Sequence, residues 1–167
     1  LSQLYDQSLY VREMFAVLDT KPKIIVSSNP KEININKAPK IEFKNVIFSY
    51  PGTKKRVLNN FSITIEPGQK IALVGENGAG KTTIIKLLAR FYDTDSGEIL
   101  IDGINLKELD LSTWYKTMGV LFQDFIKYEY PLRDNIYFGK AYEPPEIKEI
   151  IKAAKLSGAD EVAEQLP

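Results

Sequence analysis

Gly75-Glu76-Asn77-Gly78-Ala79-Gly80-Lys81-Thr82 forms a complete G-x-x-x-x-G-K-[ST] octapeptide. It follows the apolar run Ile71-Ala72-Leu73-Val74 and opens into Thr83-Ile84-Ile85-Lys86-Leu87-Leu88-Ala89-Arg90, whose apolar spacing is helical. Strand, glycine-rich loop and helix in that order are what a phosphate-binding loop requires. The spacing has a chemical reason. A polyphosphate carries several negative charges and is best held by donors that lose little water on binding, which backbone N–H groups do. Gly75, Gly78 and Gly80 let the chain curl so that Glu76, Asn77 and Ala79 turn their amides inward, and the helix behind them adds its positive N-terminal end. Lys81 supplies a full charge expected to reach the β- and γ-phosphates. The Thr82 hydroxyl is placed to ligate the Mg²⁺ that bridges them. Thr83, one residue deeper, either bonds the α-phosphate or packs.

Composition narrows the remaining classes. In 167 residues, 44% are apolar and 11% aromatic, enough for one domain with a sizeable core. Twenty-two basic residues balance 22 acidic ones, so no net field favours nucleic acid or an anionic membrane, and no nucleic-acid partner is expected. The sequence has no Cys and no His, which removes disulfides, thiolate metal sites and any histidine base from this stretch. No run approaches the roughly 18 apolar residues of a membrane span.

Leu4, Ser8, Val11, Phe15 and Leu18 recur at steps of four and three, so residues 1–19 read as an amphipathic helix. Pro22, Pro30 and Pro39, set among Lys, Ser and Asn, make residues 20–40 a linker with a short strand at Ile24-Ile25-Val26, and place a domain boundary near residue 40. Residues 41–46 and 61–65 alternate apolar and polar and predict strands of an antiparallel layer, with Pro51-Gly52 and Asn59-Asn60 as punctuation between them. A strand over 71–74 and a helix to about Phe91 flank the loop. Glu98 to Ile101 then predicts a strand turned by the hairpin dipeptide Asp102-Gly103. A short helix over 112–117, a strand over 118–122, an exposed loop around Tyr128 to Pro131, a helix opened by Pro144-Pro145 and a last helix over 159–166 complete the reading.

The ordered set Phe48-Ser49-Tyr50, then Gly75 to Thr83, then Ser96 to Gly103, then Val120-Leu121-Phe122-Gln123-Asp124 resembles the ATP-binding domain of ABC transporters over residues 41–167. The resemblance implies an α/β P-loop NTPase with an ABC-type core, incomplete here, carrying an antiparallel β layer and preceded by the helix and linker. It implies that Tyr50 stacks on adenine, that Gln123 ligates Mg²⁺ beside Thr82 and orients the attacking water, and that Gln123 and Lys81 are the catalytic contributors. The loop from Asp124 to Pro131 would face a membrane domain. Residues 8–19 are similar to the segment that joins an exporter's last transmembrane helix to its ATPase. A permease in the same polypeptide, a second ATP-binding domain closing head to tail, and a place on the cytoplasmic face of the bacterial plasma membrane are implied with it. Phe122 to Tyr130 further resembles exporters of the lantibiotic or peptide type.

Other parts of the family pattern have only decoys in this stretch. Leu156-Ser157-Gly158-Ala159-Asp160 resembles the LSGGQ signature but lacks its second Gly and its Gln, and reads as a helix end capped by Gly158. Ile99-Leu100-Ile101-Asp102 resembles a Walker B strand, yet Gly103 stands where the catalytic Glu belongs, so it reads as a hairpin arm. Phe15 to Asp19 is helical and precedes the loop. The 167 residues are therefore expected to bind ATP without hydrolysing it, and to leave sheet edges exposed. Two other classes remain open: a soluble ABC-type ATPase of DNA repair or translation, and a half-length nucleotide-binding sensor module.

Overall fold

The computed structural model describes residues 2–34, 36–123, 125–140 and 146–165. The chain forms two compact units, residues 1–119 and 120–167, taken in turn.

The first unit begins with helix α1, Ser2–Leu18, as its spacing predicted. Its stripe residues Val11, Phe15 and Leu18 are exposed, so the apolar side of α1 finds no cover among the described residues. Strands β1 (Ile41–Ser49), β2 (Arg56–Ile65), β3 (Ser96–Ile101) and β4 (Ile104–Asn105) make an antiparallel sheet in the order β2-β1-β3-β4. Both long strands run further than the alternation suggested, because bulges absorb the expected breaks. Asn45 and Asn60 take positive φ values of 49° and 55°, which Asn tolerates better than most residues, and the β1–β2 register shifts between Phe43 and Val46. That slip shows in the inward residues, which step from Phe43 to Val46 to Phe48 instead of keeping strict alternation. Ser62 fastens the bulge, accepting from Asn45 N–H at 2.8 Å. Gly97 is required opposite it, since a Cβ there would collide with the Asn45 carbonyl oxygen.

Asp102 and Gly103, with φ of 49° and 81°, make the tight turn between β3 and β4 that their identities predicted. Asp102 also accepts from Lys40 N–H at 2.8 Å, so this Walker B look-alike is an ordinary turn carboxylate. Sheet residues Phe43, Val46, Phe48, Leu58, Ile99 and Ile101 pack with Ile84, Leu87, Leu106, Leu109 and Trp114 into one core. Each large apolar side chain buried there contributes about 1.5–3 kcal/mol relative to exposure.

Helix α2, Lys81–Leu88, stops a turn earlier than its pattern suggested. Arg90 takes φ 50°, its N–H bonds to Leu87 O at 2.9 Å, and Phe91 N–H bonds to Lys86 O at 2.9 Å, a left-handed helix ending usually given to glycine. The arginine is explained by its guanidinium. It is buried, donates from Nε to Asp93 at 3.1 Å and from Nη2 to the Ile25 carbonyl at 2.9 Å, and so ties the connector to the end of α2. Trp114 Nε1 and the Tyr115 hydroxyl, from helix α3 (Leu111–Lys116), donate to the carbonyl of Leu88, the last residue of α2, and to that of Ala89 just beyond it. Asp110 caps α3 by accepting from Ser112 N–H and Thr113 N–H and from both their hydroxyls. These bonds to the ionised form, led by the Ser112 hydroxyl, lower its pKa from 3.8 to about 2.

Residues 20–34 lie along this unit. Lys31 forms a bridge to Leu109, bonds Glu108 and Asp110 through its backbone, and pairs with the Glu108 carboxylate at 2.7 Å. The strand expected at Ile24 to Val26 does not form, since the connector's only ladder contact among the described residues falls at Lys31 instead. Nor does Ile71 to Val74 form a ladder. A strand is defined by its neighbour, and no described segment pairs with this run; Val74 is 94% exposed.

The second unit is helical. Residues 118–122, bridging the two units in sequence, join no ladder among the described residues and so are not a strand. Helix α4, Leu132–Tyr137, occupies a stretch that periodicity did not mark. Pro131 precedes its first turn, and the Asn135 amide turns back to the Tyr130 carbonyl at 2.9 Å. Helix α5, Ile147–Ser157, ends at Gly158 in the left-handed conformation (φ 74°), so the signature look-alike is a helix cap as expected. Helix α6 spans Ala159–Ala163. The expected helix start at Pro144-Pro145 lies outside the described residues, as do Asp124 and Leu166.

Candidate nucleotide-binding site

The loop from Gly75 to Gly80 leads directly into α2, in the first unit. Gly78 and Gly80 have φ of 83° and 92°, and Ala79 N–H bonds back to Glu76 O at 3.2 Å, which closes the curl. Gly80 is also a packing requirement, because a Cβ there would sit 3.0 Å from Leu58 Cδ2 and 3.3 Å from the Val57 carbonyl oxygen. β2 thus floors the loop, and the sheet sets where α2 begins.

Lys81 Nζ donates to the carbonyls of Gly75 and Glu76, each at 2.7 Å. The ammonium is held across the mouth of its own loop by neutral acceptors that a phosphate oxygen would outcompete. The N-terminus of α2 has no side-chain cap, so its first amides remain for an anion. Thr82, next along, is exposed. The described residues hold no cluster of acidic side chains able to bind a metal, so a cation at this loop would depend on phosphate oxygens together with a hydroxyl ligand such as that of Thr82.

Tyr50 lies at the end of β1 and is fixed by the turn after it. Pro51 and Gly52 (φ 80°) reverse the chain, and Thr53 bonds the Tyr50 carbonyl through both its N–H at 3.0 Å and its hydroxyl at 2.9 Å. The ring is half-buried, with Phe48 and Tyr92 edge-on at 5.1 and 5.3 Å and Lys86 Nζ 5.6 Å from its centroid. Its hydroxyl lies 3.0 Å from the Thr83 hydroxyl. The structure therefore brings Tyr50 together with the helix that carries Lys81, Thr82 and Thr83. Gln123, in the second unit, is exposed. Sequence reasoning missed Lys86 and Tyr92 as neighbours of Tyr50. The signal available was the i, i+3 placement of Lys86 after Thr83, on the same face of α2. The second unit holds a cavity of about 110 Å³ lined by Ile136, Tyr137, Ile150 and Ala153. That is well below the about 300 Å³ where small-molecule pockets begin.

Residues 58–167 match the sequence pattern of the ABC transporter family. The chain belongs to that family. ATP is accordingly its nucleotide. The ABC chain is 38% identical over 137 residues to the subtilin transport ATP-binding protein SpaT of Bacillus subtilis, covering 82% of this chain and 22% of that protein. It is 43% identical over 127 residues to the ATP-dependent lipid A-core flippase of Coxiella burnetii, covering 76% and 21% respectively. The fold superposes on a bacterial Atm1-family ABC exporter solved with ATP bound, with a TM-score of 0.83, 31% identity, and coverage of 97% of this chain and 28% of that one. The ABC chain thus spans about a fifth of the length of these curated relatives. None of its described helices is long and apolar enough to cross a membrane.

Proposed function

We propose that the chain is the nucleotide-gripping segment of an ABC exporter, binding Mg·ATP through Gly75 to Thr83 and Tyr50 so that ATP binding and hydrolysis drive export of a substrate. The observation that carries this reading is the Lys81 ammonium held over the Gly75 and Glu76 carbonyls at the uncapped start of α2. Amides of the loop and of the first helical turn take the phosphates, Lys81 neutralises their outer charge, and Tyr50 offers its ring to the base. Thr82 would be the ligand this loop offers to Mg²⁺, which when bound would supply positive charge against that of the phosphates. For Gln123, as metal ligand and orienter of water, the support is the pattern Val120 to Asp124 alone. Hydrolysis would then be attack of water on the γ-phosphate, achieved by positioning and charge stabilisation rather than by covalent chemistry.

The exporter relatives support a permease in the same polypeptide, a second ATP-binding domain closing head to tail, and a site on the cytoplasmic face of the plasma membrane. The resemblance of Phe122 to Tyr130 to exporters of the peptide type favours a peptide cargo. The test is vesicle reconstitution of the intact protein: ATP-dependent, peptide-stimulated transport that Lys81→Ala abolishes is expected. Tight Mg·ATP binding without any transport, in a protein lacking membrane spans, would replace the exporter with a soluble ATPase.

A further inference from the structure

Two of the three nitrogens of the Arg90 guanidinium are bonded, Nε to Asp93 at 3.1 Å and Nη2 to the Ile25 carbonyl at 2.9 Å, but Nη1 is buried with no partner among the described residues. The backbone of the same residue is strained, at φ 50°. An orphaned donor and a left-handed arginine both cost stability, and such costs collect where a segment has to move. Here the segment is the connector. Ile25 and Val26 are 78% and 53% exposed, so burial does little to hold this stretch against the unit, and the bond to Arg90 does more. Release of the connector would let water reach Nη1, which brings the docked and released states close in free energy.

Arg90 also ends the helix whose start is the phosphate loop. Helix α2 has eight residues, about 12 Å of helix, and is shorter than a helix that holds itself together in water. The bonds that shape its left-handed end, from Ala89 N–H to Ile85 O, Arg90 N–H to Leu87 O and Phe91 N–H to Lys86 O, continue the ladder that begins with Ile84 N–H to Gly80 O. An anion on the uncapped first turn strengthens that ladder from one end, and so favours the backbone that aims Arg90 at Ile25.

We propose that α2 couples the nucleotide to the connector: phosphates bound at its start firm up its left-handed end, and Arg90 then clasps the Ile25 carbonyl and docks residues 20–30. Such coupling is reciprocal, so a docked connector also strengthens nucleotide binding. The inference rests on the reading of Gly75 to Thr83 as the phosphate grip.

The experiment places a spin label on Ile25→Cys in the intact protein, cleared of any other cysteine; that side chain is exposed, and the carbonyl of the residue still accepts from Arg90. Saturating Mg·ATP should raise the immobilised fraction of the label. Mg·tripolyphosphate should do the same and adenosine should not, because the effect enters at the phosphate end. Arg90→Lys keeps the charge but has no planar fork to bond Asp93 and Ile25 together. The label should then stay mobile with or without ligand, and Mg·ATP binding by titration calorimetry should weaken about fivefold, the low end of coupling between sites, since Ile84 and Leu87 also hold α2 in the core. Asp93→Asn, a milder change that leaves the buried arginine in place, should reduce the response in the same direction if Arg90→Lys does not fold. Glu108→Ala, which removes the connector's ion pair through Lys31, should leave the response intact. Calorimetry that shows Mg·ATP bound while the label's spectrum does not change overturns the coupling and leaves the nucleotide site standing, as does a full response in Arg90→Lys. A response lost equally in Glu108→Ala and Arg90→Lys assigns it to docking in general and overturns the role of Arg90. Absence of Mg·ATP binding to the unsubstituted protein would overturn the phosphate grip, and the inference with it.

Discussion

Replacing Lys81 with Ala tests the phosphate grip at its most exposed assumption. The ammonium is held 2.7 Å from the Gly75 and Glu76 carbonyl oxygens, across the loop mouth where an anion would sit. A bound phosphate oxygen would replace or share those acceptors at similar distance. A charge-assisted hydrogen bond contributes about 1.5–3 kcal/mol, and the Coulomb attraction of unit charges about 4 Å apart near a protein surface reaches about 4 kcal/mol at most. The substitution should therefore weaken Mg·ATP binding by roughly 10-fold to 1000-fold, each decade being about 1.4 kcal/mol. Loss of the two intra-loop bonds should hardly change folding, since Gly75 and Glu76 are exposed and water can take over their carbonyls. Titration calorimetry of Lys81→Ala beside a thermal melt separates the two effects. The wild-type affinity should also fall as salt rises, and the variant's less steeply. Affinity within threefold of wild type, with an unchanged melt, would refute the placement of the phosphates on this loop.

Gly80→Ala should be more disruptive than its size suggests, because φ 92° and the 3.0 Å approach to Leu58 leave no room for a Cβ; a left-handed Ala alone costs about 1–2 kcal/mol. Loss of ATP binding together with a lower melting temperature is expected. Arg90→Gly relieves a strained left-handed residue by about 1–2 kcal/mol, but removes charge-assisted bonds to Asp93 and the Ile25 carbonyl of about 1.5–3 kcal/mol each. The net should be destabilising, and hydrogen exchange should show lost protection in residues 20–34 first. Asp110, whose pKa falls from 3.8 to about 2 on folding, favours the folded chain above pH 4; that contribution is lost as pH drops from about 4 to about 2. Melts over this window should show a decline that Asp110→Asn reduces.

The elements legible in the sequence were those whose cause is local. The phosphate loop, the Asp102-Gly103 turn, the Pro51-Gly52 reversal and the Gly158 cap each follow from which residues can take a positive φ or a fixed one. The strands of the antiparallel layer showed in their alternation, although Asn45 concealed a phase slip by looking like an ordinary outward residue. Helix α4 went unmarked because six residues carry too little periodicity. The runs 71–74 and 118–122 were apolar enough to read as strands, but apolarity cannot supply the second strand that a ladder needs.

Sequence alone determined that this chain curls a glycine loop into a helix with a lysine at its first position, since the torsion limits of the backbone suffice for that. Tertiary structure alone decided that Arg90 fastens the connector to the end of α2, and that the Tyr50 phenol meets the Thr83 hydroxyl. Those contacts join residues 65 and 33 positions apart, and only the packing of β1, α2 and the connector on a shared core brings them within hydrogen-bond reach.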